Sequence, residues 1–432
     1  MKFLQHLKPS ALLPALLALA VAAAPVAHGA IAAEGTGTKT STKASTKNST
    51  KNSTKNSTKN STKNSTKSGA KAGRHAKAVK QAKKAPKTKA QARAIANAKR
   101  NAAATAAAVN YKGERVNFGE WQAVSEFADL MSERHGFERE ALRALIGQIN
   151  FVDSAVQLVK PAPPGKPKNW QAYSALMVEP IRIKAGTAFW NENAETLARA
   201  EKAYGVPAEI IVGIVGIETI YGRNTGRFRV LDTLTTLGFA YPETPNKQAR
   251  MAFFRGELEA ALLLARQRGV DPLSLLGSFA GAMGLPQFMP SSVLAWGVDF
   301  DLDGVVDLHN SRADVIGSVA NFLVQHGWKR EQAGPLAYPV DVAPSMAWEK
   351  FIGQGLAAKY GQQELREAGV ASGQPLPPGM LFGLVDLQNG PEATEYWLGT
   401  DNFYAITHYN RSFFYAMSVI ELGRAARSNR DN

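Results

Sequence analysis

The chain has 432 residues, of which 45 % are hydrophobic, and it contains no cysteine. This composition allows a sizeable core and excludes a disulfide scaffold, a cysteine-ligated zinc site, a thiol nucleophile and a lipid anchor on cysteine. The net charge of +15 comes from one segment, because residues 34–100 hold nineteen Lys and Arg against one acid. Without this segment and without Lys2 and Lys8, the rest of the chain has a net charge of −5. A mildly acidic body argues against a nucleic-acid-binding domain, so no nucleic-acid partner is expected.

Residues 1–32 have the pattern of a secretory signal peptide. Two lysines precede an apolar run of fourteen residues at 11–24, which is too short to cross a bilayer as a helix. Small residues follow, and 27–29 and 30–32 are both candidate cleavage sites. The sequence therefore predicts export, with the signal either removed or retained as an anchor.

Residues 33–112 are predicted to form a disordered tail. A four-residue unit, Asn-Ser-Thr-Lys, repeats as far as Lys67, and a stretch rich in Ala, Lys and Arg follows to about Ala108. The tail has almost nothing apolar to bury, so it cannot offset the entropy lost on ordering. Two roles stay open: a solvated spacer, or an electrostatic tether to an anionic surface such as cell-wall polymer or lipid headgroups. The export signal disfavours a third, a histone-like DNA-binding tail.

Residues 113–430 have the pattern of a folded, mainly helical body. Apolar residues recur at helical spacing in six segments: 127–131, 142–149, 189–200, 251–268, 313–326 and 412–427. The apolar run 208–217 is rich enough in β-branched residues for a strand, but Pro207 at its start and Glu209 favour a buried helix. Short strands are predicted at 383–387, 395–398 and 403–407, in a small β region at about 375–410.

Glu218 is the first candidate for chemistry. It follows an apolar run, so burial should raise the pKa of its carboxyl and let it hold a proton near neutral pH, as a general acid must. Gly213 and Gly216 let another backbone or a ligand come close, and the helix breaks at 221–223, as at the rim of a cleft. The alternative is a buried ion pair or a cap. Glycosidases usually need two carboxylates, yet no second acid is near in sequence, since Asp232 fits the start of a helix equally well.

The glycine-rich segment 277–292 is the second candidate. Its small residues allow a ligand to approach the backbone, and Ser278 and Gln287 supply hydrogen-bonding groups. Apolar faces come from three further residues: Phe279, Met283 and Phe288. A sugar site needs both kinds of group. The same composition also fits a tight buried loop.

Residues 299–314 partly match a calcium-binding loop. Four residues occupy positions 1, 3, 5 and 6 of the standard loop: Asp299, Asp301, Asp303 and Gly304. Val305 can offer its carbonyl at position 7, but Asn310 stands at position 12, where the standard loop has a bidentate Glu. Asp314 is therefore the candidate that closes a longer loop. The alternative is an acidic surface turn, although carboxylates so close together repel one another without a cation.

The chain also carries long motifs that resemble the soluble and membrane-bound lytic transglycosylase B family of bacterial cell-wall enzymes. In chain order these motifs lie at 217–223, 230–237, 253–258, 277–292, 317–322 and 408–410. The resemblance spans roughly residues 118–424. It implies a lysozyme-like, mainly α catalytic core with a flanking α region and a small β region. It also implies cleavage of the β-1,4 bond between N-acetylmuramic acid and N-acetylglucosamine in peptidoglycan glycan strands, leaving a 1,6-anhydro end.

The reaction implied by the resemblance needs only one carboxylate. Glu218 would first protonate the glycosidic oxygen and then, as a carboxylate, take the proton from the muramoyl 6-hydroxyl. That hydroxyl attacks C1 of its own sugar, so neither water nor an enzyme nucleophile takes part. Calcium would be structural, and catalysis itself would need no cofactor.

The resemblance further implies which residues bind the substrate and which bind calcium. By motif position, substrate-contacting or cleft-lining residues are expected at Ser278, Gln287, Tyr173, Tyr409, Asn410 and Tyr415. Phe288 is added for its apolar face. Arg250 is the best candidate for an arginine that contacts sugar or peptide, because the stretch 241–250 is longer than the short Tyr-Pro-Arg-Arg form of the family. The implied calcium ligands are Asp299, Asp301, Asp303, the Val305 carbonyl and Asp314.

The sequence departs from the family pattern at several points. Phe253 and Phe322 stand where some members carry tyrosine, and the basic tail is not part of the pattern. Membrane-bound members are lipoproteins, whereas this chain has no cysteine to lipidate, so we expect a periplasmic monomer, soluble unless its signal stays uncleaved. Two other functions stay open: a hydrolytic muramidase, and a non-catalytic wall-binding protein. Glu218 and the segment 277–292 argue against the second.

Overall fold

The computed structural model describes residues 117–161 and 167–431. The predicted signal peptide and the tail lie outside these residues. Within them the chain is mainly helical, as the sequence predicts. No helix in this part of the chain is long and apolar enough to cross a membrane.

Fourteen α-helices are present in the described residues. The first seven are α1 (Gln122–His135), α2 (Arg139–Ile146), α3 (Asp153–Leu158), α4 (Trp170–Met177), α5 (Pro180–Glu192), α6 (Ala194–Tyr204) and α7 (Ala208–Thr219). The others are α8 (Val230–Phe239), α9 (Lys247–Arg268), α10 (Pro290–Trp296), α11 (Arg312–Gln325), α12 (Gln362–Glu367), α13 (Asp401–Thr407) and α14 (Phe413–Asp431). The segment 189–200, predicted as one helix, is divided between α5 and α6 by Asn193.

Two small antiparallel sheets accompany the helices. In the first, β1 (Phe228–Arg229) pairs with β2 (Leu276–Gly277). The second has the strand order β4-β3-β6-β5. Its strands are β3 (Ala337–Val342), β4 (Val370–Ser372), β5 (Gly383–Asn389) and β6 (Glu392–Gly399). This four-stranded sheet covers a second, smaller hydrophobic core that includes Tyr338, Trp348 and Phe382.

The predicted small β region is correct at two strands and wrong at the third. Strands β5 and β6 contain the predicted segments 383–387 and 395–398, but 403–407 lies in helix α13. The chain leaves β6 at Gly399, and the hydroxyl of Thr400 then caps the helix by accepting from the backbone N–H of Phe403. Residues 402–407 are buried on all sides, so their apolar character does not indicate an alternating strand. The sheet begins at residue 337, well before the predicted start at 375.

Helix α7 is the buried helix predicted for this apolar run. All but one of its residues are buried, and its packing partner is α14, which runs antiparallel to it. A Cβ added at Gly213 would collide with the carbonyl of Val419, and one added at Gly423 would collide with the carbonyl of Glu209. Gly213 therefore admits another backbone, which was one of the two predicted alternatives. At Gly216, the other glycine of that prediction, an added Cβ would instead meet the side chains of Tyr221 and Leu422. The close approach brings residue 415 of α14 beside the last turn of α7.

Candidate active site

Glu218 lies in the last turn of α7 and is only 8 % exposed. The phenol of Tyr415 donates a hydrogen bond of 2.6 Å to its Oε1. Burial raises the pKa of Glu218 from its ordinary value of 4.5 to about 7, and the hydrogen bond from Tyr415 opposes that rise. Near neutral pH the carboxyl therefore holds its proton part of the time. A group with this pKa can both give and take a proton.

The chain turns sharply directly after the acid. Ile220 and Tyr221 both have positive φ, 51° and 56°, which is unusual for residues other than glycine and especially for a β-branched one. The hydroxyl of Thr219 fixes this turn by donating to the carbonyl of Leu285 at 2.9 Å and accepting from the N–H of Gly222 at 3.0 Å. The last turn of α7 is thus tied to the glycine-rich segment 277–292. Sequence reasoning predicted the helix break but missed the role of Thr219.

Three tyrosines surround Glu218, and all three are among the predicted site residues. Tyr415 contacts the carboxyl directly. The ring of Tyr409 stacks on the ring of Tyr415, with a centroid distance of 6.3 Å. Tyr409 donates a hydrogen bond of 2.6 Å to the carbonyl of Pro286. Burial, and then the nearby charge of Glu218, raise the pKa of Tyr173 to about 12. All three phenols stay protonated at neutral pH, and Tyr415 directs its hydrogen to the acid while Tyr409 directs its hydrogen to Pro286.

The segment 277–292 forms a tightly hydrogen-bonded loop with two accessible polar side chains. Gln287 takes a positive φ of 51°, and its amide nitrogen donates to the carbonyls of Gly284 and Thr225. Its amide oxygen has no partner among the described residues, so it is available to a ligand. The hydroxyl of Ser278 accepts from the N–H of Ala282 at 3.1 Å, which leaves its own hydrogen to donate. The loop is tight, as the second alternative predicts, and it also offers polar groups, so its contact with a sugar stays a prediction.

Asn410 directly follows Tyr409 in the segment between α13 and α14. Its side-chain oxygen is buried and makes no hydrogen bond to the described residues. A buried acceptor without a partner costs free energy, which a ligand with an N–H or O–H donor would recover.

The predicted metal loop brings three carboxylates together. Oxygens of Asp299, Asp301 and Asp303 lie within 4.8 Å of one another. Asp314 is fully buried, and its two oxygens accept from the backbone N–H groups of Phe300 at 2.8 Å and Asp307 at 2.7 Å. Asp314 therefore closes the loop through the backbone, while the other three acids provide the hard oxygen donors that calcium prefers.

Comparison with known proteins places this chain in a family. The model of the transglycosylase SLT domain matches residues 119–424. The chain is also 42 % identical over 312 residues to membrane-bound lytic murein transglycosylase B of Escherichia coli (strain K12), an alignment that covers 70 % of this chain and 82 % of that protein. The chain belongs to the lytic transglycosylase family. This confirms the resemblance read from the motifs and the expected lysozyme-like fold class.

Solved structures of other lytic transglycosylases agree with this assignment. The soluble lytic transglycosylase SltB1 from Pseudomonas aeruginosa is 43 % identical, with a TM-score of 0.65, covering 72 % of this chain and 100 % of that one. The E. coli lytic transglycosylase Slt35, solved in complex with calcium, is 39 % identical, with a TM-score of 0.65, covering 75 % of this chain and 98 % of that one.

Asp232 is excluded as a second acid of this lytic transglycosylase. It is fully buried in the first turn of α8. Both of its oxygens accept from the guanidinium of Arg229 at 2.8 Å, and one also accepts from the N–H of Asn150. An acid held in this way is structural, in agreement with the prediction that Asp232 fits the start of a helix.

Two predicted binding residues lie deeper than a substrate contact requires. Phe288 is 2 % exposed, and its ring supports Tyr409 from 5.8 Å. Arg250 is also 2 % exposed, and its guanidinium lies 5.5–5.8 Å from the ring centroids of Tyr241, Phe253 and Phe254. The structure gives both residues a packing role in this lytic transglycosylase, and contact of either with substrate stays a prediction.

Proposed function

We propose that this lytic transglycosylase cleaves the β-1,4 bond between N-acetylmuramic acid and N-acetylglucosamine and closes a 1,6-anhydro ring on the muramoyl product. A single observation carries the proposal: Glu218 is a buried carboxyl with a pKa of about 7 that accepts a hydrogen bond from Tyr415. Among the described residues, no other carboxylate contributes to that shift. One acid suffices for a reaction in which the substrate supplies its own nucleophile.

In the first step the protonated Glu218 gives its proton to the glycosidic oxygen as the C1–O bond breaks. The bonding electrons leave with the oxygen, so the N-acetylglucosamine side departs as an alcohol, C1 of the muramoyl sugar becomes an oxocarbenium-like cation, and Glu218 becomes a carboxylate. In the second step this carboxylate takes the proton from the 6-hydroxyl of the muramoyl sugar while that oxygen bonds to C1. Glu218 ends in its starting state, and no water is consumed. Tyr415 stabilises the carboxylate between the two steps, because a hydrogen bond to a charged group is stronger than one to a neutral group.

The remaining site residues are proposed to hold the sugar. The Ser278 hydroxyl and the Gln287 amide oxygen lie on the loop that Thr219 ties to the acid, and the Asn410 side-chain oxygen is buried without a partner. The phenol of Tyr173 adds a donor, and the phenol oxygen of Tyr409, whose hydrogen goes to Pro286, adds an acceptor. Together these groups supply the few convergent polar contacts that orient a ligand in a site lined mainly by aromatic rings.

Mass spectrometry of digested peptidoglycan tests the reaction. Anhydro products are one water lighter than products of hydrolysis, so the two reactions are separated in a single measurement. Anhydro-muramoyl ends support the proposal. Reducing muramoyl ends would instead identify a hydrolytic muramidase, and the absence of cleavage would identify a non-catalytic binding protein.

We also propose that residues 299–314 bind calcium in a structural role. Asp299, Asp301 and Asp303 supply side-chain oxygens, with the Val305 carbonyl as a further ligand. Carboxylate oxygens have two lone-pair sites each, so Asp314 can contact a cation as well as the backbone N–H groups it already accepts from. The relative Slt35 was solved in complex with calcium.

We further propose that the chain works in the periplasm, as a monomer, on peptidoglycan glycan strands. The export pattern of residues 1–32 and the murein transglycosylase relative support that location. The basic segment 34–100 would add an electrostatic attachment to anionic cell-wall polymer or lipid headgroups, provided that it is more than a spacer.

A further inference from the structure

Arg182 is a charged side chain in a fully buried position. It lies in the first turn of α5 and is 0 % exposed. Its Nη1 donates to the backbone carbonyl of Leu176 at 2.8 Å and to the side chain of Glu179 at 3.0 Å. Its Nε and Nη2 are buried and have no hydrogen-bond partner in the part of the chain that the structure describes. Buried donors without acceptors cost free energy that an apolar side chain would avoid, so stability alone does not account for Arg182.

The contacts of Arg182 join α5 to the end of α4. Leu176 is the last residue but one of α4, and the carbonyls in the last turn of a helix have no partner within that helix. The guanidinium supplies this partner and places a positive charge at the negative end of the helix dipole. Tyr173 lies one turn before Leu176 on the same helix. The contact that fixes the end of α4 therefore also fixes the position of Tyr173.

The hydroxyl of Tyr173 depends on this contact, because little else directs it. The ring of Tyr173 packs on Trp170 and on Phe414, with centroid distances of 6.5 Å and 5.6 Å. Within the described residues, its hydroxyl makes no hydrogen bond. Ring contacts hold the body of the side chain, while the place of its hydroxyl follows from where α4 ends.

Arg182 also lies near the turn that follows the acid. A Cβ added at Gly186, one turn after Arg182 on α5, would collide with the hydroxyl of Tyr221, which is part of that turn. The hydroxyl therefore packs against the face of α5 that carries Arg182. Burial raises the pKa of both Tyr173 and Tyr221, Glu218 raises that of Tyr173 further, and the charge of Arg182 opposes the rise in each. The guanidinium is thus close enough to act on one phenol beside the acid and on another just after it.

We propose that Arg182 is a positioning residue, which holds the end of α4 so that the hydroxyl of Tyr173 is directed at the sugar beside Glu218. Arg182 is fully buried, so it acts through Tyr173 and not by contact with the substrate. Its charge and its unpaired donors lower stability, and the geometry of the site is what they maintain. Because the contact of Tyr173 with the sugar belongs to the proposed function, this inference rests on that function.

A double-mutant cycle in the full-length chain tests the proposal, with kcat/KM measured as the consumption of soluble glycan fragments. Arg182→Met and Tyr173→Phe should each lower kcat/KM about threefold to tenfold, the effect of losing one hydrogen bond. The double variant should lose no more than either single variant, because both changes remove the same contact. Arg182→Lys, which keeps a donor for Leu176, should recover most of the loss.

Stability separates positioning from a role in the fold. The melting temperature of Arg182→Met should not fall, since methionine leaves no unpaired buried donor and Glu179 is 31 % exposed, so water can solvate its carboxylate. Arg255→Met is the matched control. Arg255 donates to the carbonyl of Gly238 and lies 5.6 Å from the ring centroid of Phe239, and its replacement should leave kcat/KM unchanged.

Several outcomes would overturn the proposal. Losses that multiply in the double variant would mean that Arg182 does not act through Tyr173. A melting temperature that falls in both Arg182→Met and Arg182→Lys would assign the residue to the fold, and an unchanged kcat/KM in Arg182→Met would leave it without a part in the reaction. Arg182→Lys as slow as Arg182→Met would exclude the contact with Leu176 as the cause. Failure of the proposed function would appear elsewhere, as the absence of anhydro products from the unsubstituted chain.

Discussion

Replacing Glu218 with glutamine should nearly abolish turnover and, at the same time, stabilise the fold at alkaline pH. The amide can neither give nor take the proton, so both steps of the reaction lose their acid or base. The stability effect follows from the pKa of Glu218, which burial raises from 4.5 to about 7. A shift of this size corresponds to about 3 kcal/mol of preference for the protonated form.

The sign of the stability change is fixed by linkage. Because the folded-state pKa lies above the unfolded value, the stabilising contribution of Glu218 is fully present below about pH 4.5 and is lost as the pH rises through 7. Glutamine stays neutral throughout and loses nothing. The free energy of unfolding of Glu218→Gln, relative to the unsubstituted protein, should therefore rise by about 3 kcal/mol between pH 4 and pH 8.

Urea denaturation at pH 4, 5, 6, 7 and 8 measures this difference, and anhydro-product release measures turnover. Glu257→Gln is the matched control, since Glu257 is also buried with a raised pKa but accepts from Ser291 instead of facing the site. That variant should show a stability change of the same sign and retain turnover. Two results would refute the reasoning: a stability difference for Glu218→Gln that does not vary with pH, or residual activity within about tenfold of the unsubstituted enzyme, a loss of only about 1.4 kcal/mol.

Three further predictions concern Tyr415, calcium and the tail. Tyr415→Phe removes the hydrogen bond that lowers the pKa of Glu218, so the alkaline limb of the pH–rate profile should move to higher pH, with a plateau about tenfold lower. An unmoved limb would separate this phenol from the proton transfer. Calcium should raise the melting temperature because it binds only the native state, and Asp303→Ala should remove that rise. The unsubstituted enzyme should keep its activity when calcium is chelated; loss of that activity without a change in melting temperature would contradict a structural ion. Deleting residues 33–112 should reduce co-sedimentation with intact sacculi at low salt and leave cleavage of short soluble fragments unchanged. The difference in co-sedimentation should fade with salt, because the Debye length falls from about 10 Å at 0.1 M to about 3 Å at 1 M; equal pelleting of both forms at every salt concentration would make the tail a spacer.

Local sequence patterns predicted the parts of the fold that depend on local interactions. Helix α7 follows from the apolar run after Pro207, and the helix break follows from the residues after Thr219. The carboxylates of the metal loop are spaced within five residues, so their meeting could be predicted directly. Asp232 lies in the first turn of α8, as the helix start read at its position predicted.

Contacts between distant residues could not be predicted in that way. Tyr415 is 197 residues from Glu218, and only the family resemblance suggested that they share a site. The strand predicted at 403–407 failed because burial of a whole segment removes the alternation that separates strand from helix. The burial of Phe288 and Arg250 depends on rings supplied by other elements, including Tyr409 and Tyr241, and neither contact has a sequence signature.

The features that suit Glu218 to the proposed proton transfer also make this part of the fold costly. A carboxyl with its pKa raised to about 7 destabilises the folded state whenever it is charged, and Ile220 and Tyr221 hold strained positive φ values directly after it. The rest of the site offsets these costs through fixed contacts: the glycine-mediated packing of α7 on α14, the hydrogen bonds of Thr219 and the phenol of Tyr415. Because α14 both packs on α7 and carries Tyr415, a substitution that separates these two helices should weaken the acid's hydrogen bond along with the core. Under the proposed mechanism, stability and catalysis are therefore coupled through the same pair of helices, and we expect second-site changes that tighten this packing to preserve the pKa of Glu218 as well as the fold.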